Sequence, residues 1–190
     1  FTVDAWGRTT HITKADGSHE TYTYDHAGNL LTATDGEGRT VSYRYNSRGL
    51  LASRTDAAGE SDTFRYDRDG NVAESTDRNG NRLSYTYNMY HSLTSRRSEK
   101  GDISERFGYY PDGKLRYATG GGMRYDYTYD CMGRLTGKSV GGRALLSYTY
   151  DPNGNRTGLT DPTGKRTEYT YDYADRLMEV RDNGKRQARY

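Results

Sequence analysis

The chain has 190 residues, of which 28 are basic and 26 acidic, for a formal net charge of +2. Leu, Ile, Val and Phe together number 22, which is below the roughly 20% under which disorder is the usual expectation. The balanced charge and the 20 tyrosines do not fit disorder, which combines few aromatics with a high net charge. Interspersed charges argue against a nucleic-acid-binding surface, and the lack of a long apolar stretch argues against membrane insertion.

The sequence offers no group of residues that predicts catalysis or metal binding. A single cysteine, Cys131, excludes an internal disulfide framework and a cysteine-based zinc site. It holds the second position of a predicted turn, so we expect it to be exposed, and no base or oxyanion site accompanies it. The four histidines occupy unrelated positions without a metal-binding spacing. We therefore predict no catalytic residue, no metal and no cofactor.

A repeat of about 21 residues organises the whole chain, with the pattern aromatic-x-Tyr-Asp-x-x-Gly-x-Leu. The nine repeats begin near residues 1, 22, 43, 64, 85, 107, 127, 148 and 169. The first aromatic position, called here the first column, holds Phe1, Tyr22, Tyr43, Phe64, Tyr85, Phe107, Tyr127, Tyr148 and Tyr169. The position two residues later, the second column, holds Tyr24, Tyr45, Tyr66, Tyr87, Tyr109, Tyr129, Tyr150 and Tyr171.

Each repeat predicts a β-hairpin. Aromatic residues two apart, separated by a polar residue, indicate a strand with one half-buried face. Asp-x-x-Gly fits a type I turn whose glycine adopts a positive φ. The clearest turn residues are Asp25, Gly28, Asp67, Gly70, Asp130, Gly133, Asp151 and Gly154.

A second strand follows this turn and a second turn closes the repeat. In the repeat that begins at residue 22, we expect Tyr24 to face Leu30 and Tyr22 to face Thr32 across the two strands. The predicted fold class is all-β, with tandem hairpins forming one continuous curved antiparallel sheet of about 17 strands. We expect a single domain over residues 1–190, with no helix and no linker.

Residues 22–30, which read Tyr-Thr-Tyr-Asp-His-Ala-Gly-Asn-Leu, resemble the YD repeat of the RHS-repeat family, as do residues 127–135 and 148–155. This family includes bacterial polymorphic toxins, C components of insecticidal toxin complexes, wall-associated bacterial proteins and the teneurins. The resemblance implies a β-sheet strip that spirals into a hollow shell, which in the toxins encloses a variable C-terminal toxic domain. Because the chain matches no self-cleaving terminal segment of the family, we expect an excerpt of the shell wall.

The resemblance therefore predicts a non-catalytic structural scaffold, a wall segment of a shell that encapsulates a toxin or effector domain. It implies flanking repeats and an encapsulated C-terminal domain as partners, and a secreted or cell-surface location. The alternative is an extracellular adhesion or carbohydrate-binding module with glycans as partners. Unprotected sheet edges make edge-to-edge self-association a further expectation.

Tyrosines in the two columns could form a stacking surface for glycans or nucleic-acid bases, but ninefold repetition favours a structural apolar layer. Quaternary-ammonium cages of choline-binding modules rely on tryptophan, and the chain has only Trp6. The better candidates for contact with another molecule are the tyrosines outside the columns, which are Tyr90, Tyr110, Tyr117, Tyr125 and Tyr173.

Overall fold

The computed structural model describes residues 1–190 as strands and turns, with no helix that could span a membrane. All strands belong to one antiparallel sheet, so the predicted all-β fold is confirmed, with 19 strands rather than about 17. The strands are β1 (Thr2–Val3), β2 (Thr9–Thr13), β3 (His19–Tyr24), β4 (Leu30–Thr34), β5 (Thr40–Tyr45), β6 (Leu51–Thr55), β7 (Ser61–Tyr66), β8 (Val72–Thr76), β9 (Arg82–Tyr87), β10 (Leu93–Ser98), β11 (Ser104–Tyr109), β12 (Leu115–Gly120), β13 (Met123–Tyr129), β14 (Leu135–Val140), β15 (Arg143–Tyr150), β16 (Arg156–Thr160), β17 (Arg166–Tyr171), β18 (Leu177–Asp182) and β19 (Lys185–Arg189).

The chain divides into two compact units, an N-terminal unit of residues 1–91 and 96–102 and a C-terminal unit of residues 92–95 and 103–190. In the N-terminal unit, strands β1 to β9 pair with one another in chain order. In the C-terminal unit, strands β11 to β19 do the same. Each unit is thus a meander of hairpins, and the single domain over residues 1–190 stays a prediction.

The second-column tyrosine closes each hairpin next to its first turn. Tyr24 faces Leu30, as predicted, and equivalent pairs join Tyr66 to Val72 and Tyr129 to Leu135. Cross-strand pairs of an aromatic and an aliphatic side chain contribute roughly 0.2–1 kcal/mol each. The repeat therefore places one such pair beside most of its first turns, whereas Tyr150 faces Arg156.

A β-bulge next to that pair shifts the register of the hairpin by one residue. Tyr22 faces Ala33, so the prediction that it faces Thr32 is wrong. The reason is that the return strand carries one extra residue, Leu31, which has no pairing partner on the outgoing strand. The same shift recurs in seven other hairpins, so the bulge is a property of the repeat.

The first turns are type I turns completed by a glycine in the left-handed region. In the second repeat the Gly28 N–H donates to the Asp25 carbonyl over 3.1 Å, and the Asp25 N–H donates to the Asn29 carbonyl over 2.9 Å. Gly28 has a φ of 91°, which L-residues adopt only at a cost. This combination of a type I turn and a glycine bulge keeps a short hairpin twisted.

The second turns are of two kinds. The first-turn pattern recurs in Lys14–Gly17, Asp35–Gly38, Asp56–Gly59, Asp77–Gly80 and Asp161–Gly164. Three others are two-residue turns whose central residues both have positive φ, as in Gly121–Gly122 and Asn183–Gly184. Positive φ at both central positions defines the type I′ turn, which matches the twist of the strands that it joins.

Neither unit has a buried apolar core. No hydrophobic side chain is buried, and the column tyrosines are half-buried. Ser98, 8% exposed, is the most enclosed polar residue. Stability must therefore come from half-buried side chains spread over the sheet, together with the hydrogen bonds between strands.

We expect Gly59→Ala to destabilise the N-terminal unit by about 1–2 kcal/mol, the cost of placing an L-residue in the left-handed region. Gly59 has a φ of 84°, and a Cβ there would meet nothing within 4 Å, so backbone strain is the whole effect. Urea unfolding followed by circular dichroism measures it. Ala58→Ser in the same turn is the control, with a change within about 0.5 kcal/mol; equal effects of the two substitutions would contradict this account.

Candidate functional site: the tyrosine ladder and the first turns

The second-column tyrosines, called here the tyrosine ladder, join each repeat to the one before it. Each hydroxyl donates a hydrogen bond to the backbone carbonyl of the residue that opens the return strand of the preceding repeat. The donor–acceptor distances lie between 2.7 and 3.1 Å. The pairs are Tyr24 with Thr9, Tyr45 with Leu30, Tyr66 with Leu51, Tyr87 with Val72, Tyr109 with Leu93, Tyr129 with Leu115, Tyr150 with Leu135 and Tyr171 with Arg156.

The ladder explains how phenylalanine is distributed in the sequence. All three phenylalanines, Phe1, Phe64 and Phe107, lie in the first column, and none lies in the second. First-column hydroxyls make no recurring bond: Tyr22 donates to Glu20, whereas Tyr85 pairs with the Ser75 hydroxyl. Because only the second column needs a hydroxyl, only the first tolerates phenylalanine. Sequence reasoning treated the two columns alike and missed this signal.

The turn carboxylates hold the first turns in shape. One oxygen of Asp67 accepts the N–H groups of Asp69 and Asn71, each over 2.9 Å, and the other accepts the Asn71 side-chain amide over 2.9 Å. The Asn71 side-chain amide, with backbone N–H groups, lowers the pKa of the Asp67 carboxyl below its usual value. The same cause acts on Asp25 and Asp77 through the asparagine four residues later.

Neighbouring first turns are linked by side chains. The Arg8 guanidinium pairs with Asp4 over 2.6 Å, donates to the Asp25 carbonyl over 2.9 Å and lies 4.7 Å from the centre of the Tyr24 ring. Arg134 makes the equivalent set of contacts one repeat apart in the C-terminal unit. These links run parallel to the tyrosine ladder, at the turn end of the hairpins.

The two repeats that lack the turn glycine carry a different link. His91 and Asp175 occupy that position with φ values of 60° and 58°. His91 lies 3.0 Å from the Asn71 amide oxygen, and Asp175 accepts the Asn155 amide over 2.6 Å. In both cases a strained residue gains a hydrogen bond to the preceding turn, and that bond offsets part of the strain.

The five tyrosines outside the columns fall into two groups. Tyr90 and Tyr173 are exposed at turn tips, at 71% and 96%. Tyr117 lies across Gly108, where a Cβ would come within 2.1 Å of its ring, and beneath the guanidinium of Arg124. Tyr110 and Tyr125 are also half-buried and contact neighbouring side chains of the chain. Tyr90 and Tyr173 are therefore the most exposed of these five tyrosines.

Cys131 is exposed, as its turn position predicts. The structure contains no group of three or more His, Cys, Asp or Glu side chains placed to hold a metal ion. The turn carboxylates lie singly in successive turns, where backbone N–H groups and side chains of the same turn occupy them. Their arrangement accounts for turn geometry and supplies no acid–base pair.

Family comparison agrees with this repeat geometry. The RHS repeat model matches residues 3–40, 26–61, 45–73, 66–103, 133–166 and 150–187, which together cover most of the chain. The chain belongs to the RHS repeat family. No curated protein matches the sequence. Residues 104–132 are the internal stretch that the RHS repeat matches leave out.

Solved structures share the fold. The TcdB2-TccC3 crystal structure without its hypervariable C-terminal region superposes with a TM-score of 0.77 at 16% identity, over 93% of this RHS repeat chain and 11% of that chain. The Photorhabdus luminescens Tc holotoxin pore gives a TM-score of 0.64 at 16% identity, over 88% of this chain and 12% of that one. The RHS repeat chain thus spans about a tenth of the length of these relatives. At such identities the likeness shows the fold alone.

We expect Tyr45→Phe to destabilise the N-terminal unit by about 0.5–1.5 kcal/mol, the usual net value of one hydrogen bond. The substitution removes only the hydroxyl that binds the Leu30 carbonyl. Tyr43→Phe, on the same strand, is the matched control, because its first-column position tolerates phenylalanine. Urea unfolding of both variants decides the matter, and equal losses would contradict the different roles of the two columns.

We expect Asp67→Asn to weaken the dependence of stability on pH. A carboxyl whose pKa is lowered on folding stabilises the folded state fully above its unfolded value of about 3.9, and that stabilisation is lost as pH falls through the folded pKa. The wild type should therefore lose its advantage over Asp67→Asn below about pH 4, in urea unfolding from pH 7 to pH 3.

Asn46 shows that an amide can hold this turn, because its side-chain oxygen accepts the N–H groups of Arg48 and Leu50. Asn46→Asp is the reverse control and should add acid sensitivity in the same direction but to a smaller extent, because Leu50 offers only its backbone N–H to the carboxylate. A stability difference between the wild type and Asp67→Asn that is constant over the whole pH range would refute the prediction.

Proposed function

We propose that this RHS repeat chain is a wall segment of a shell that encloses a toxin or effector domain of its own full-length protein. The family membership and the fold shared with TcdB2-TccC3 support this proposal. That relative has a hypervariable C-terminal region, which its crystal structure leaves out. In the proposed protein, the flanking repeats continue the sheet and a C-terminal domain lies inside it.

The tyrosine ladder is the observation that carries the proposal. Eight hydroxyls bind eight carbonyls of preceding repeats, while no hydrophobic side chain is buried. A sheet held together in this way has no core that limits its extent. Each further repeat can therefore be added with the same contacts to its neighbour. That property suits a wall, whose task is to cover an area.

The proposed role is mechanical and non-catalytic. The half-buried turn carboxylates are engaged in turn hydrogen bonds, and the repeat places no nucleophile beside a base. A shell of this kind would act outside the cell or at its surface, which fits the description of the structural relatives as parts of a toxin. Flanking repeats and an enclosed domain are the proposed partners.

A second candidate, adhesion through exposed aromatics, draws on Tyr90 and Tyr173. Both side chains stand at turn tips with most of their surface in solvent. Exposed aromatics of this kind anchor many interfaces. Loss of cell or glycan binding in Tyr90→Ala and Tyr173→Ala variants, with unchanged stability, would favour adhesion over a wall.

Limited proteolysis of the full-length protein tests the shell. The enclosed domain should resist trypsin in the wild type and become sensitive when Tyr45, Tyr66 and Tyr87 are all replaced by Phe, because three adjacent links of the ladder are then missing. The control replaces Tyr43, Tyr127 and Tyr148 by Phe and should preserve protection. Digestion of that domain at the same rate in the wild type and after its isolation would rule out enclosure.

A further inference from the structure

Two histidines, His11 and His19, lie side by side on strands β2 and β3 and are called here the histidine pair. Their ring centres are 4.8 Å apart, with an angle of 35° between the ring planes. The hairpin places His11 opposite Thr21 and His19 opposite Thr13, so the two imidazoles are diagonal neighbours on one face of the sheet. Diagonal neighbours lie within reach of aromatic and long side chains. Strand pairing therefore brings together two metal-ligating groups whose spacing in the sequence predicts no site.

The histidine pair occupies positions that hold hydroxyl side chains in the next repeats. The equivalent residues are Thr32 and Thr40 in the second repeat, and Ser53 and Ser61 in the third. The same hairpin thus forms with small hydroxyl side chains at both positions, so the sheet does not need imidazoles there. The change from hydroxyls to two imidazoles replaces weak metal ligands by good ones at a single place in the chain.

The ring nitrogens of the histidine pair make no hydrogen bond or ion pair within the chain. His19 is exposed and His11 is half-buried. His91 differs, because one of its ring nitrogens lies 3.0 Å from the Asn71 amide oxygen. The lone pairs of the histidine pair are therefore available to a ligand from solvent.

The separation of the two rings fits a shared metal ion. An imidazole nitrogen binds Zn²⁺ at about 2.0–2.1 Å, which places the ring centre about 3.2 Å from the ion. Two such rings, at a ligand angle between about 90° and about 109°, have centres about 4.5–5.2 Å apart. The observed 4.8 Å lies within this range. Both imidazoles can therefore bind one ion by side-chain rotation, without movement of the strands.

The charges around the histidine pair do not oppose a cation. Thr13 and Thr21, the residues opposite the two imidazoles, are neutral. Lys14, in the turn that joins the two strands, pairs with Glu20 over 2.6 Å, so its positive charge is balanced. Asp16 in the same turn adds a negative charge. A divalent ion at the pair therefore meets no unbalanced positive charge of its own hairpin.

We propose that the histidine pair binds one divalent transition-metal ion, with the two imidazoles as ligands and water in the remaining positions. Imidazole suits Cu²⁺, Zn²⁺ and Ni²⁺, whereas Mg²⁺ and Ca²⁺ prefer oxygen ligands. Affinity at nitrogen sites is greatest for Cu²⁺, so Cu²⁺ should bind more tightly than Zn²⁺. The ion would link β2 to β3. This site is independent of the shell wall, and each can fail without the other.

Isothermal titration calorimetry of the 190-residue chain tests the proposal with Cu²⁺ alone and with Zn²⁺ alone. The buffer should not bind metals, and the pH should be about 7.5, because imidazole ligands must be neutral. We expect one tight site, weakened at least tenfold in His11→Gln and in His19→Gln, since a single imidazole lacks the second ligand held close by. His26→Gln removes an exposed histidine of a first turn and, as the matched control, should bind as the wild type does.

Thermal unfolding followed by circular dichroism supplies a second measurement. An ion that binds only the folded chain raises the unfolding midpoint. Zn²⁺ should therefore raise the midpoint of the wild type and of His26→Gln, but not that of His19→Gln. His19 is exposed, so its variant should fold and decide the matter even if His11→Gln does not. The proposal would be overturned by the absence of saturable binding to the wild type, by equal affinities of the wild type and His19→Gln, or by an equal loss in His26→Gln.

Discussion

The hydrogen bond from a second-column tyrosine to the preceding repeat's carbonyl is the constraint on which the rest of the structure depends. It requires the aromatic ring to lie over the neighbouring hairpin, where the half-buried ring supplies apolar contact in a sheet without a buried core. The bulge beside each turn brings the tyrosine opposite the residue that opens the return strand. Turn, bulge and ladder are therefore parts of one arrangement, repeated along the sheet.

This arrangement distributes stability evenly rather than concentrating it. In a globular domain, a few buried side chains carry much of the free energy, whereas here each repeat contributes its own turn, aromatic pair and hydroxyl link. The links between first turns, through Arg8 and Arg134, add a second line of attachment at the hairpin ends. Damage to one repeat should therefore stay local, which is a useful property in a wall.

The periodic features of the fold could be predicted from the sequence, because spacing reports them directly. The 21-residue period, the hairpins and the pairing of Tyr24 with Leu30 all follow from it. The partner of Tyr22 could not be predicted, since the pairing depends on the extra residue Leu31, and the repeat pattern does not indicate whether a bulge is present. The contact between the perpendicular rings of Tyr110 and Tyr129 could not be predicted either, because the two residues belong to different repeats.

The central residues of the first turns have a consequence for how such a chain can diversify. The turn is fixed by backbone bonds and by the carboxylate at its start, so side chains such as Met89, Tyr90 and Tyr173 project into solvent without supporting the sheet. Substitutions there leave the ladder intact. Several repeats thus offer positions where a new side chain can be introduced with little effect on folding, and neighbouring repeats lie roughly 10 Å, two strand spacings, apart along the sheet.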